Sequence, residues 1–258
     1  MICHWPQTKS VTGLPKGYLL RHLAEVDSTN EEARRMAAEH ETIPTWIVAD
    51  RQTAGRGRRG RAWQSQIGNL MTTLYLPVGF DAVKAGQLAF VAGLALERTV
   101  STLIGATGAT SLKWPNDVLI EGKKASGILL ESAMRDNKID WLAIGLGLNL
   151  AHHPDDTPYP ATSLAAHMDT PPNNLAALKI LATAFDEVFR QWRNGGFGPV
   201  LQAWRAVAHG LEGPIVARLE NETFEGIFKD IDDKGALLLQ LASGDVQTID
   251  AGDVFFPE

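Results

Sequence analysis

The stretch SLKWPNDVLIEGKKASGILLES, residues 111–132, reads as strand, turn, strand, hairpin, strand. Pro115-Asn116-Asp117 is turn chemistry: proline fixes φ, and Asn and Asp side chains bond back to their own backbone. Glu121-Gly122 marks a tight hairpin. Residues 127–132 and 141–150 (WLAIGLGLNL) are further apolar, buried-looking runs. Strands that follow one another this closely, with helices only at intervals, do not make a strict β-α-β alternation. The expected class is α+β, a mixed β-sheet with packed helices, rather than a doubly wound sheet.

Upstream, residues 19–26 predict a short strand. DSTNEEARRMAAEH (27–40) predicts a helix in which Thr29 and Glu32 have capping-box spacing. Residues 45–50 and 70–76 predict strands. Leu88, Val91, Ala92, Ala95, Leu96 and Thr99 mark an amphipathic helix that ends near the glycines of residues 105–109. Downstream, residues 151–172 form a polar loop rich in proline, histidine and aspartate. Helical spacing returns at Leu175, Leu178, Leu181, Ala182, Phe185, Val188, Phe189 and Trp192. GGFGP breaks that helix, and residues 200–209 predict a shorter one. Residues 215–256 hold five short alternating strands separated by turns, the pattern of a small β-barrel. The expected division is a domain of residues 1–210 and a small β-domain of residues 211–258.

The 258 residues carry a formal net charge of −6, with 45% hydrophobic and 21% charged residues. That composition is globular and supplies enough apolar material for a core. An acidic chain argues against a broad nucleic-acid-binding face. Cys3 is the one cysteine, so no internal disulfide forms, which fits a reducing compartment. No apolar run approaches the ~18 residues of a membrane span. The first ten residues lack a basic-then-apolar signal pattern. The expectation is a soluble, cytoplasmic protein with no membrane partner.

Against this acidic background, GRGRRGRAW (55–63) holds four arginines and three glycines. Glycine lets backbone approach a ligand closely, and arginine forks bind carboxylate and phosphate in a bidentate way. The strand at residues 45–50 delivers the chain straight into this loop, a usual place for a binding site on a rigid scaffold. A catalyst that activates a carboxylic acid with a nucleotide needs cations for carboxylate and phosphate. It also needs a carboxylate for magnesium and an apolar slot for the acid's tail. Arg58, Arg61, Lys113 and Lys124 are candidate cations, and Asp117 is the candidate metal ligand. Residues 127–130 and 145–148 are candidate walls of the slot. Taken singly, Lys124 reads as a solvated hairpin lysine and Ser28, Thr29 and Asn30 read as helix capping.

GRGRRGRAW, KWPNDV, KKASGILLE and GLGLN, with DSTNEEA upstream, together resemble the motif set of the biotin–protein ligases. The resemblance spans residues 27–149 and extends to the small C-terminal β-domain. It implies a class II aminoacyl-tRNA synthetase-like catalytic domain and an SH3-like C-terminal barrel. It implies that biotin and ATP form biotinyl-5′-AMP, with magnesium accompanying ATP. Biotin would then pass to a lysine of a biotin carboxyl carrier domain. Position by position, it assigns Ser28, Thr29, Asn30, Gln52, Arg56, Gly57, Arg58 and Lys124 to biotin. It assigns Arg58, Arg61, Trp63, Lys113, Asn116 and Asn149 to the nucleotide, and Asp117 to magnesium. Arg58, Lys124 and Lys113 are the implied catalytic cations. Arg58 is the first candidate for retaining the adenylate, Arg56 and Arg61 follow, and Arg59 is expected to face solvent.

Asp27 begins the motif set, which leaves no room upstream for the DNA-binding domain that some family members carry. The expectation is a monofunctional ligase with no specific DNA partner. Pairing of two subunits through an edge of the catalytic sheet stays open. The nearest alternative is a lipoate–protein ligase of the same superfamily. An RNA-binding protein using the arginine loop is a remote one, disfavoured by the acidic charge. A metal hydrolase built on His152, His153, Asp155 and Asp156 is also remote, because that cluster lacks ligand spacing.

Overall fold

The computed structural model of the chain describes residues 13–105, 109–157 and 159–257. The expectations resting on Cys3 and on the first twelve residues lie outside that range, as does the middle of the glycine run at 105–109. The elements run β1 (Leu19–Val26), α1 (Thr29–Ala38), β2 (Thr45–Gln52), β3 (Leu70–Leu76), α2 (Ala82–Ile104), β4 (Thr110–Lys113), β5 (Asp117–Ile120) and β6 (Lys123–Arg135). They continue with β7 (Lys138–Leu148), α3 (Asn174–Gly195), α4 (Phe197–Ala206), β8 (Pro214–Arg218), β9 (Thr223–Ile231), β10 (Leu237–Gln240), β11 (Val246–Ile249) and β12 (Asp253–Phe255).

The first seven strands form one mixed sheet in the order β1-β2-β3-β7-β6-β5-β4. β1 and β2 are parallel, and every other neighbouring pair is antiparallel. Successive residues of a strand face opposite sides, so this sheet separates two environments. Trp46, Val48, Leu74, Ile128, Ile144 and Leu146 join the large core that includes the apolar faces of α2 and α3. Ile47, Tyr75 and Ala143 turn the other way, against Ala33 and Met36 of α1. Gly145 and Gly147 share the parity of Ala143, and Gly127 is registered opposite Gly147. The α1 side of the sheet is therefore floored by small residues beside an otherwise filled core.

Residues 214–255 form the second sheet, antiparallel throughout, in the order β11-β10-β9-β8-β12. It is the SH3-like element, and all five strands predicted from alternation are present. Phe228, Ile231, Leu237, Leu239 and Val254 pack into the same core as α2. Trp114 Nε1 donates to the Gly235 carbonyl at 3.0 Å. These contacts seat the start of β12 beside the 55–63 loop.

Several local expectations change. The N-cap of α1 is Ser28, without a side-chain capping bond. Thr29 is the first residue of the helix rather than its cap, and its backbone N–H and hydroxyl both donate to Gln52 Oε1. The helix after GGFGP starts at Phe197 and ends at Ala206; the break is Gly196 alone, at φ 73°. Residues 127–132 are a half-buried stretch of β6 rather than a buried run, with Ile128 buried and Ser132 exposed. α2 is long and apolar enough, by length and composition, to cross a membrane. Most of its apolar residues, among them Leu88, Val91, Leu94 and Leu96, instead fill the core, while Val83 near its start is exposed.

Candidate active site

One cavity of about 380 Å³ opens on the α1 side of the larger sheet. Ser28, Thr29, Asn30, Gln52, Arg56, Gly57, Arg58, Arg61, Trp63, Lys113, Asn116, Asp117, Lys124 and Asn149 all line it. Every site residue expected from the sequence is thus brought to one place. The fold does this by running the N-terminus of α1, the loop after β2, the β4–β5 turn and the starts of β6 and β12 toward one end of the sheet.

The floor is made of glycine. A Cβ on Gly145 would collide with Asn30 Oδ1, and one on Gly147 would collide with the Trp63 indole. Trp63 therefore lies flat across β7, with Gly127 of β6 also beneath its edge. At one end of the slot, Thr73 Oγ1 donates to Asn30 Oδ1 at 2.6 Å and lies 2.8 Å from Thr29 Oγ1. Gln52 Nε2 donates to Ser65 Oγ at 3.0 Å, tying β2 to the far side of the loop.

The cations gather at the other end. Asp117, 8% exposed, stands between two lysines. Lys113 Nζ is 3.7 Å from Asp117 Oδ2, and Lys124 Nζ is 2.7 Å from Oδ1 without hydrogen-bonding alignment. Lys113 is itself buried, with its ammonium 4.3 Å from the centre of the Tyr159 ring. Desolvation lowers the Lys113 pKa; Asp117 opposes that shift and Lys124 adds to it. Arg58 is held by Asn116 Oδ1 at 3.0 Å and by the Gly252 carbonyl at 3.2 Å. Burial lowers its pKa too, against the pull of Asp253 and Asp117. A cavity with three cations at one end and an apolar, glycine-floored slot at the other can hold a carboxylate tail-first beside a polyphosphate.

The family described as Biotin/lipoate A/B protein ligase matches residues 23–149, and the Biotin protein ligase C terminal domain matches residues 211–256. The biotin–[acetyl-CoA-carboxylase] ligase of Paracoccus denitrificans is 41% identical over 239 residues, covering 91% of this chain and 99% of that protein. This chain belongs to the biotin protein ligase family. The bifunctional ligase/repressor BirA of Bacillus subtilis is 34% identical, over 94% of this chain and 76% of its own length. The biotin protein ligase of Aquifex aeolicus, solved in complex with biotin and ATP, superposes with a TM-score of 0.77. That match has 28% sequence identity and covers 92% of this chain and 97% of that one. The larger sheet with its helices is the class II aminoacyl-tRNA synthetase-like fold.

In this biotin protein ligase the loop arginines are not equivalent, and their partners were missed in the sequence. Arg56 donates to Glu31 Oε1 at 2.6 Å and lies 3.3 Å from Glu131 Oε1. Arg61 and Arg59 both reach Asp253 at the start of β12, Arg59 at 3.4 Å. Arg59, expected in solvent, is exposed but ion-paired. Arg58 is 4.0 Å from the same carboxylate. Asn69 was also missed: its Oδ1 accepts from the backbone N–H groups of Leu150, Ala151 and His152, each at 3.0 Å. It thereby starts the loop that carries Tyr159 to Lys113. His153 bonds Ser163, and no group of three metal-ligating side chains occurs among the described residues.

Proposed function

We propose that this biotin protein ligase activates biotin with ATP and transfers it to a lysine of a biotin carboxyl carrier domain. The observation that carries the reading is the single cavity in which Lys113, Lys124 and Arg58 face an apolar slot floored by Gly127, Gly145 and Gly147. In the first step a biotin carboxylate oxygen attacks the α-phosphorus of ATP, and pyrophosphate leaves. In the second, the acceptor lysine, as a free amine, attacks the acyl carbon; AMP leaves and the amine's extra proton goes to solvent or base. The nucleophile comes from the partner, so the chain needs no catalytic serine or cysteine.

The roles follow position. Ser28, Thr29, Asn30 and Gln52 form the polar end for the biotin ring. Lys124 meets the carboxylate and then the phosphoryl oxygens, and Lys113, Asn116 and Asn149 take the nucleotide side. Trp63 covers the slot, and Arg56, Gly57, Arg58 and Arg61 form the closing loop. Cations beside two anionic reactants reduce their repulsion, and each preorganised group is often worth ~3–4 kcal/mol. A closed loop also keeps water from the mixed anhydride.

Asp117 does not fit a protein-built magnesium site, because both lysines already claim its oxygens. Magnesium enters this reading with ATP, on phosphate oxygens and water. Residues 1–210 are the catalytic unit and 211–258 a small unit that contacts its loop. ATP dependence suits the cytoplasm, and a net charge of −6 supports no specific DNA partner. The larger sheet ends in β1 and β4, the edges along which two copies would pair. Biotin-dependent exchange of pyrophosphate into ATP tests the reading. Exchange with lipoate in place of biotin, or none with either, would overturn it.

A further inference from the structure

Glu131 stands where the floor of the cavity meets the closing loop. Its Oε2 accepts from Asn30 Nδ2 at 2.7 Å, and both its oxygens lie 3.3–3.5 Å from Arg56 Nη2. The other side of the Asn30 amide is fixed as well, since Oδ1 accepts from Thr73. From there contacts run through Thr29 to Gln52. One hydrogen-bonded path thus joins Arg56 in the loop to the polar end of the slot. Glu31, the other partner of Arg56, spends its second oxygen on Arg34 of its own helix, which donates to it at 2.7 Å. Among the described residues, Glu131 is the one whose side chain bonds the side chains of both Arg56 and Asn30.

We propose that Glu131 is a positioning residue for adenylate formation, coupling closure of the arginine loop to the orientation of Asn30. The inference rests on the biotin ligase reading. Its physics is acceptor chemistry. An ionised carboxylate only accepts, so it forces the NH₂ side of Asn30 toward itself and leaves Oδ1 for Thr73. Its charge simultaneously holds Arg56. A glutamine at 131 is neutral and keeps one acceptor: with that oxygen on Asn30 it turns its N–H groups toward Arg56, and with it on Arg56 it permits the flipped Asn30 amide. When the loop opens, Glu131 loses Arg56 and is freer to turn from Asn30, so the polar end of the slot loosens with the loop.

Three measurements test this on the full chain: calorimetric affinity for biotin, hydrogen exchange of residues 55–63 without ligand, and release of biotinyl-5′-AMP. Because the pair is partly exposed, E131Q is expected to weaken biotin binding about three- to tenfold and to speed loop exchange by a similar factor. Adenylate release should rise with it, and E131D should restore part of each. In the R56Q/E131Q double variant the loop should exchange no faster than in the worse single variant. A merely structural role would lower the melting temperature and leave these couplings unchanged. A folded E131Q with biotin affinity and loop exchange both within twofold of wild type overturns the proposal. If E131Q does not fold, R56Q decides: unchanged biotin affinity overturns it. If wild type shows no biotin-dependent exchange of pyrophosphate, the functional reading fails. Loop exchange in E131Q then judges the coupling by itself.

Discussion

Replacing Asp253 with asparagine should loosen the arginine loop while leaving the lysines of the cavity in place. The Asp253 side chain is 15% exposed and faces Arg61, Arg59 and Arg58, whose side chains are 58%, 37% and 22% exposed. Exposed ion pairs are worth ~0.2–1 kcal/mol each, and Arg61 belongs at the low end because water screens it. Three pairs on one mostly buried carboxylate therefore hold the loop by about 1–2 kcal/mol. At ~1.4 kcal/mol per decade, D253N raises the open population roughly 5- to 30-fold. Amide exchange of residues 55–63 in the ligand-free protein reads that number directly. pH supplies a second axis. Burial raises the Asp253 pKa, but Arg61, Arg59 and Arg58 outweigh it and hold the carboxyl below its usual range. A folded pKa below the unfolded one gives stabilisation that is full above about pH 4 and lost as pH falls through the folded value. Loop opening in wild type should therefore be flat from about pH 5 to 8 and rise only in stronger acid. Exchange in D253N within twofold of wild type would refute the clamp.

Lys124→Ala should cut biotin-dependent pyrophosphate exchange by about 10²- to 10³-fold, the usual loss of one preorganised charge; near-normal exchange rules out its role. Arg58→Gly should raise leakage of biotinyl-5′-AMP on the order of tenfold or more, because it removes charge-assisted bonds to Asn116 and Gly252. Unchanged retention in a filter assay would sink that assignment. Gly145→Ala puts a methyl group against Asn30 Oδ1. It should cost ~1–3 kcal/mol of stability and weaken biotin binding, and a melting temperature and affinity equal to wild type would contradict the packing.

The sheet was legible because its strands alternate and its turns use residues with their own backbone chemistry. Glu121 and Gly122 both take positive φ, at 49° and 75°, as that hairpin requires. The gathering of the site was legible because the motifs lie at strand ends. What the sequence hid were long-range partners. Glu131 closes the KKASGILLE motif, yet nothing local says that it reaches back to Asn30, 101 positions earlier. Asp253 looks like an ordinary strand-edge carboxylate until the second sheet is seated beside the loop. In WLAIGLGLNL the signal is the period-two alternation of large residues with glycine. Large residues at 142, 144, 146 and 148 go to the core, while Gly145 and Gly147 on the opposite face open the slot.

These partners change what the arginine loop can be. Four guanidinium groups facing an empty cavity would repel one another and favour an open loop. Here Glu31 and Glu131 hold Arg56 at one side, and Asp253 holds Arg59 and Arg61 at the other. Arg58 is left with neutral oxygen acceptors and a carboxylate 4.0 Å away. It is the most buried of the four side chains, at 22% exposure, and so the one whose charge is least screened. The loop thus divides its labour by partner rather than by sequence position. The three outer arginines, joined by the longer Arg58–Asp253 contact, set how often it opens, and Arg58, with Lys113 and Lys124, also supplies the field that an acyl-adenylate meets when it is closed.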